Sequence, residues 1–353
     1  MKLAVPVRQA VARMRAYQPP LEGRSGRLRL DFNENTIGCS PGVRRALARL
    51  TRTQVSMYPE YGPALRRLAR FFRVRPEELL LTNGTDEGLR LVVDTFVESD
   101  DAVLLVEPSF ALYRFYAELA GTRVVALRYG KGMEFPREEV LRALRARPQL
   151  FFLANPNNPT GTLVARNVLR GILEAAPRTL VVVDEAYFEF SGLTVIRWIN
   201  RYANLIVTRT FSKGMGLAGL RLGCLFANCR LTAALRKAQS PYAVNVAALA
   251  AMEAATRDVW FIADYVRQAN RSKQELQRGL TRLGVPHWPS AANFVLADFG
   301  ARAPALLRAF RRRGILLRDR QTDFGRVGYV RITVGTRAQT RLLVRALEKL
   351  WPS

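Results

Sequence analysis

Leu180-Val181-Val182-Val183-Asp184-Glu185-Ala186-Tyr187 decides the fold. Four apolar residues, three of them valine, leave no polar face, so the run reads as a strand covered on both sides, with charge arriving only at its carboxyl end. The pattern recurs outward in both directions. Strand candidates at Leu79–Thr82, Ala102–Val106, Arg123–Leu127, Leu150–Leu153, Leu205–Thr208 and Arg221–Phe226 are short and mostly apolar. Between most of them lie amphipathic stretches such as Glu87–Phe96, Ala111–Ala120, Glu138–Arg145 and Ala165–Ala176, which read as helices. Strands alternating with helices specify an α/β fold with a mainly parallel seven-stranded sheet. Ligands of such sheets sit beyond the carboxyl ends of the strands, and polar clusters stand there: Asn83-Gly84-Thr85-Asp86, Asn155 to Gly161, Asp184 to Tyr187, and Thr210-Phe211-Ser212-Lys213.

The flanks differ. Residues 1–45 read as an arm with a turn-rich segment, residues 46–245 as the large domain, and residues 246–353 as a smaller α+β domain sharing the arm, with a long helix over Ala247–Arg278 and strands at Asn293–Asp298 and Val330–Val334. The 353 residues carry a net charge of +26, and of the 55 cations only six are lysines. A hydrophobic content of 49% excludes intrinsic disorder in spite of that charge. One histidine, His287, leaves no Ser-His-Asp triad partner network and no multi-histidine metal site, and no metal is expected. Three cysteines without a C-x-x-C pair point to a reducing compartment. Arg8 and Arg13 interrupt the N-terminal apolar stretch too early for a signal peptide, and no run reaches the roughly 18 apolar residues of a membrane span. A cytoplasmic protein with no membrane partner is expected. The charge invites a nucleic-acid reading, yet the arginines are spread along helices, with no zinc-finger spacing or basic-aromatic interleaving, so a solvated arginine surface is expected instead.

Lys213 stands out because lysine is scarce and this one occupies a Ser/Gly-rich turn after a buried strand. Partial desolvation lowers an amine's pKa and frees it for Schiff-base chemistry. Asp184 emerges from an apolar strand and needs a cationic partner, which a protonated pyridine nitrogen supplies. Tyr187 and the Asn158 amide can donate to a phenolic oxygen. Gly84-Thr85-Asp86 opens a helix whose N–H groups suit a phosphate, with Ser212 and Arg221 adding a hydroxyl and a cation.

Taken together, Asn158-Pro159-Thr160-Gly161, Asp184-Glu185-Ala186-Tyr187, Ser212-Lys213 and Ala218 to Gly223 resemble the fold-type I pyridoxal-phosphate aminotransferases. Asn33-Glu34-Asn35, Tyr58-Pro59-Glu60, Pro108-Ser109-Phe110, Arg318-Asp319-Arg320 and Arg331 to Thr336 narrow the resemblance to histidinol-phosphate aminotransferases, in the family's order from about residue 17 to 336. The resemblance implies pyridoxal 5'-phosphate as cofactor, held covalently by Lys213, which also shuttles the substrate proton. It implies Asp184 on the pyridine nitrogen, Tyr187 and Asn158 on the phenolic oxygen, and Phe110 stacked on the ring. Thr85, Asp86, Thr210, Ser212 and Arg221 would bind the phosphate, joined by Tyr58 from the second subunit of a homodimer. Arg331 would take the substrate carboxylate, or whatever occupies its place, as a bidentate fork. Arg318, Tyr17 and Asn33 would meet the substrate's distal end.

The implied reaction exchanges an amino group between L-histidinol phosphate and 2-oxoglutarate. An aromatic or broad-range aminotransferase and a threonine-phosphate decarboxylase share these motifs, and a basic nucleic-acid-binding protein is the rival from another class. The chain departs from the family at Thr36, where relatives show Pro, and at Gly214-Met215-Gly216, where they often have Ala and an aromatic.

Overall fold

The computed structural model describes residues 5–351. Eleven strands form two sheets among these residues: β1 Leu28–Leu30, β2 Leu79–Asn83, β3 Ala102–Glu107, β4 Arg123–Arg128, β5 Leu150–Ala154, β6 Leu180–Asp184, β7 Leu205–Thr210, β8 Leu222–Ala227, β9 Phe294–Asp298, β10 Ile315–Asp319 and β11 Tyr329–Thr333. The larger sheet has the order β2-β8-β7-β6-β5-β3-β4, and only β8 runs against its neighbours. The mainly parallel, seven-stranded sheet expected from the sequence is therefore present.

Side-chain alternation explains why these runs are apolar throughout. Leu104, Phe151, Leu153, Val181, Val183 and Val207 enter one core, whereas Val103, Leu105, Phe152, Leu180, Val182 and Ile206 enter another on the opposite face. Each buried side chain of this kind contributes about 1.5–3 kcal/mol. Helices such as Gly84–Phe96, Ala111–Ala120 and Arg166–Ala175 cover the faces and leave the strand ends open.

The second sheet, β1-β10-β11-β9, draws its first strand from the N-terminal segment and the others from the last third of the chain. Leu30 and Ile332 share its core with Leu276 and Leu280 of helix Val259–Arg282 and with Leu343 and Leu347 of helix Arg337–Leu350. Two of its strands, β1 and β10, are absent from the sequence expectation. They are short, and β1 is defined only by its parallel pairing with β10, 285 or more residues away along the chain.

The single helix expected over Ala247–Arg278 is two helices, Val246–Ala255 and Val259–Arg282. The interruption has a partner: Asp258 Oδ2 accepts from the Ser40 hydroxyl at 2.5 Å, and Ser40 also caps helix Pro41–Ala48. Among the described residues, no helix is long and apolar enough to cross a membrane.

One interior ion pair ties the sheet together. Glu185, fully buried after β6, accepts from Arg209 Nε on β7 at 2.7 Å, from Thr194 Oγ1 at 2.8 Å and from the Val195 amide at 2.6 Å. Removing one member of such a pair strands the other charge away from water. Arg209→Met is expected to destabilise the fold by about 3–5 kcal/mol, read as a lower denaturant midpoint.

Candidate active site

The strand-end clusters converge. Asp184, the last residue of β6, is buried, and its carboxylate takes only neutral donors: Tyr113 Oη at 2.7 Å, Thr208 Oγ1 at 2.8 Å and the Ala186 amide at 3.0 Å. Desolvation pushes its pKa up, and those three hydrogen bonds oppose the shift. A carboxylate prepared in this way lacks only a cation.

Lys213 follows β7, half-buried, and its Nζ donates to the Phe32 carbonyl at 2.9 Å. Desolvation first, and then the nearby Arg331 guanidinium, lower its pKa to about 8. Tyr187 Oη accepts from Asn33 Nδ2 at 2.9 Å, which leaves the phenolic proton free to be donated. Asn33 reaches this place with φ +56° and is pinned from the other side by its amide donating to Thr333 Oγ1 at 2.9 Å.

Arg331 is buried on β11, directly opposite Arg318 on β10. Like charges facing each other across an antiparallel pair are destabilising unless an anion lies between or beside them. The acceptors of Arg331 are neutral: Asn158 Oδ1 and the Asp31 carbonyl, the latter at 2.6 Å. Its Nε has no partner. Burial first, and then Arg320 beside it, bring its pKa down to about 9. Arg318 is likewise lowered by burial. Because Asn158 uses its oxygen on Arg331, its amide hydrogens remain available.

The third group of residues surrounds the N-terminus of helix Gly84–Phe96. Thr85, Thr210 and Ser212 are buried there, and Thr210 Oγ1 accepts from the Ser212 amide at 3.1 Å. Arg221, at φ +53°, reaches Asp86 with Nη2 to Oδ2 at 2.7 Å. Two glycines make room. A Cβ on Gly84 would lie 2.4 Å from Arg221 Nη2, and one on Gly223 would lie 2.6 Å from the Thr85 amide nitrogen. The result is a backbone cradle with hydroxyls and one guanidinium, suited to a phosphate. Phe110 opens helix Ala111–Ala120 with its ring 5.6 Å from Tyr113, beside a cavity of about 320 Å³ bordered by Ser109, Thr322 and Asp323.

Not every expected residue joins this cluster. Tyr58 is 77% exposed within the chain, its ring 4.5 Å from that of Tyr242. Tyr17 is exposed and lies within electrostatic reach of Arg318. His287 spends Nδ1 on the Val285 carbonyl at 3.0 Å, a local turn contact. Conversely, Tyr113, Thr208 and Thr333 belong to the site and were missed from sequence. Their signals are periodic: Tyr113 is three residues beyond Phe110 on a helix, while Thr208 and Thr333 stand two residues from Thr210 and Arg331 on strands, hence on the same faces.

The donor set suits pyridoxal phosphate: a buried carboxylate lacking a cation, an amine of lowered pKa, an arginine with an orphan Nε, and a cradle that side chains at Gly84 and Gly223 would fill.

Comparison with known proteins agrees with this chemistry. Residues 26–347 match the family described as aminotransferase class I and II. A histidinol-phosphate aminotransferase of Symbiobacterium thermophilum is 42% identical over 97% of this chain and 98% of its own. The crystal structure of histidinol-phosphate aminotransferase from Sinorhizobium meliloti in complex with pyridoxal-5'-phosphate superposes with a TM-score of 0.84 at 27% identity, over 92% of this chain and 90% of that one. L-threonine-O-3-phosphate decarboxylase from Porphyromonas gingivalis gives a TM-score of 0.82 at 26% identity, over 92% and 100%. With this match spanning nearly its whole length, the chain belongs to the class I and II aminotransferase family.

Proposed function

We propose that the protein is a pyridoxal-phosphate-dependent histidinol-phosphate aminotransferase, converting L-histidinol phosphate and 2-oxoglutarate to imidazole acetol phosphate and L-glutamate. One observation carries the reading. Three charged groups of the site, Asp184, Lys213 and Arg331, hydrogen-bond to neutral partners only, so their charge remains for a ligand bearing both signs. The cross-strand Arg318 and Arg331 supply a place for a substrate with an anionic end, and the 42% identity to the Symbiobacterium enzyme supports histidinol phosphate as that substrate.

Residues 46–245 form the cofactor-binding domain in this reading, and residues 1–45 with 246–353 form the smaller one. The cofactor, when bound, supplies the electron sink that no side chain provides. Asp184 holds its ring nitrogen protonated, Phe110 offers a ring face, and Tyr187 and Asn158 donate to its phenolic oxygen. Thr85, Asp86, Thr210, Ser212 and Arg221 hold its phosphate, together with Tyr58 from the second subunit of a homodimer, which accounts for the exposure of Tyr58 in one chain. Lys213 would anchor the cofactor and would move the proton to and from the substrate's α-carbon. Arg331 and Arg318 orient the substrate's anionic end, with Asn33 and Tyr17 beside them. The three free cysteines support placement in the cytoplasm.

Borohydride reduction after addition of pyridoxal phosphate tests the reading most directly. The expected result is a visible absorbance band lost on reduction, with the added mass on the peptide that contains Lys213. Lys213→Ala should show neither. An unlabelled Lys213 in wild-type protein would sink the proposal.

The amine attacks only when neutral, so the attachment rate rises with pH and levels off above about 8, the value to which burial and Arg331 bring Lys213. Arg331→Met removes a cation that favours the neutral amine. The midpoint of the attachment profile therefore moves to higher pH, and an unmoved midpoint would separate the two groups.

Arg318→Met is expected to weaken L-histidinol phosphate by about 10- to 100-fold, the equivalent of a charged hydrogen bond, while phenylalanine half-reaction rates change little. The likeness to the Porphyromonas decarboxylase makes threonine phosphate the informative third substrate, with carbon dioxide release rather than amino transfer as its mark.

A further inference from the structure

Residues 31–35 touch four parts of the site. The Asp31 carbonyl accepts from Arg331, the Phe32 carbonyl from Lys213 at 2.9 Å, Asn33 Nδ2 donates to Tyr187, and Asn35 Nδ2 donates to the Gly214 carbonyl at 3.1 Å, next to Lys213. Five consecutive residues therefore set the surroundings of the amine, the phenol and the guanidinium. β1 ends at Leu30 and no strand pairing reaches further; Thr333 and Asn293 pin Asn33, and the residues on either side of it need a second hold.

Arg24 is placed to do so. Its side chain is one-tenth exposed, at 10%. Nε and Nη2 grip Asp31 as a fork at 3.1 and 2.9 Å, and Nη2 also reaches Glu34 Oε2 at 2.6 Å. The guanidinium lies 4.0 Å from the centre of the Phe32 ring, and Arg318 lies over that ring at 5.3 Å. Arg29 also reaches Glu34, at 3.6 Å, and is more exposed. One planar group thus joins Asp31 to Glu34, on either side of Phe32 and Asn33, which meet Lys213 and Tyr187, a geometry that arginine provides and a point charge does not.

We infer that Arg24 is a positioning residue: by clamping Asp31 and Glu34 it fixes the 31–35 strap and, through it, the places of Lys213, Tyr187 and Arg331. The catalytic part of this inference rests on the proposed aminotransferase reading; the structural part does not.

The test uses the full chain with Arg24→Met, which keeps the stem and removes the fork, and Arg24→Lys, which keeps the charge alone. In Arg24→Met, hydrogen exchange of the Asn33 amide, protected by Thr333 Oγ1, is expected to quicken about ten-fold while amides of β5 to β7 stay as they were. The kcat for L-histidinol phosphate is expected to fall about 10- to 100-fold, the usual consequence of displacing reacting groups by an ångström. Arg24→Lys falls between the two.

Adding Asp31→Asn to Arg24→Met relieves the carboxylate left unpaired, so the melting temperature recovers and kcat does not. Recovery of both overturns the proposal, because Arg24 would then serve only charge balance. Exchange of Asn33 at the wild-type rate in Arg24→Met overturns it as well. If Arg24→Met does not fold, Arg24→Lys is judged by the same two readouts. Should wild-type protein fail to turn over L-histidinol phosphate, the functional reading falls, and the Asn33 amide still decides the strap.

Discussion

Charge held by neutral partners is the constraint on which the rest of this structure depends. Lys213 donates to a carbonyl, Arg331 to an amide oxygen and a carbonyl, and Asp184 receives two hydroxyls and a backbone N–H. Each arrangement satisfies hydrogen bonds without neutralising charge. Desolvation then dominates, lowering the two cations and raising the carboxylate. The contrast with Glu185 and Arg209 is instructive. That pair sets opposite charges against each other, and it ties the end of β6 to β7 without reserving anything for a ligand.

The fold provides this environment through the direction of its strands. Six of the seven strands in the large sheet run the same way, so the carboxyl ends of β2, β5, β6 and β7 bring Thr85, Asn158, Asp184 and Lys213 to one edge. The reversed strand β8 returns Arg221 to the same edge from its amino end and places Gly223 against the first turn of helix Gly84–Phe96. The small sheet closes the opposite side with Arg318 and Arg331, carried on adjacent antiparallel strands. The N-terminal strap bonds to Tyr187, Lys213 and Gly214, which follow strands of the large sheet, and to Arg331 and Thr333 of the small one.

The arginine bias has a local counterpart. Every ion pair found among the described residues uses arginine, many of them exposed pairs three or four residues apart on helices, such as Arg90 with Asp94 and Arg142 with Glu139. Such pairs are worth a few tenths of a kcal/mol each. The surface excess and the arginines of the site are thus different in kind. The former face water, while Arg331 is buried opposite another cation and hydrogen-bonds only to neutral acceptors.

The sequence by itself determined the large sheet, because apolar runs ending in polar clusters can only be strands covered on both faces with their chemistry at the carboxyl ends. It also singled out Lys213, through scarcity, and Asp184, through its position after an all-apolar run. Short elements were beyond it. The three residues of β1 carry no readable period, and the interruption at Asp258 depends on Ser40, more than two hundred positions away. Tertiary structure alone decided that Tyr113 and Thr208 steady the Asp184 carboxylate, that Arg318 faces Arg331, and that Arg24 grips the strap. The first two contacts join residues remote in the chain, and it is strand pairing and helix packing that bring them together: β7 sets Thr208 beside Asp184, helix Ala111–Ala120 brings Tyr113 to the same carboxylate, and β10 sets Arg318 opposite Arg331.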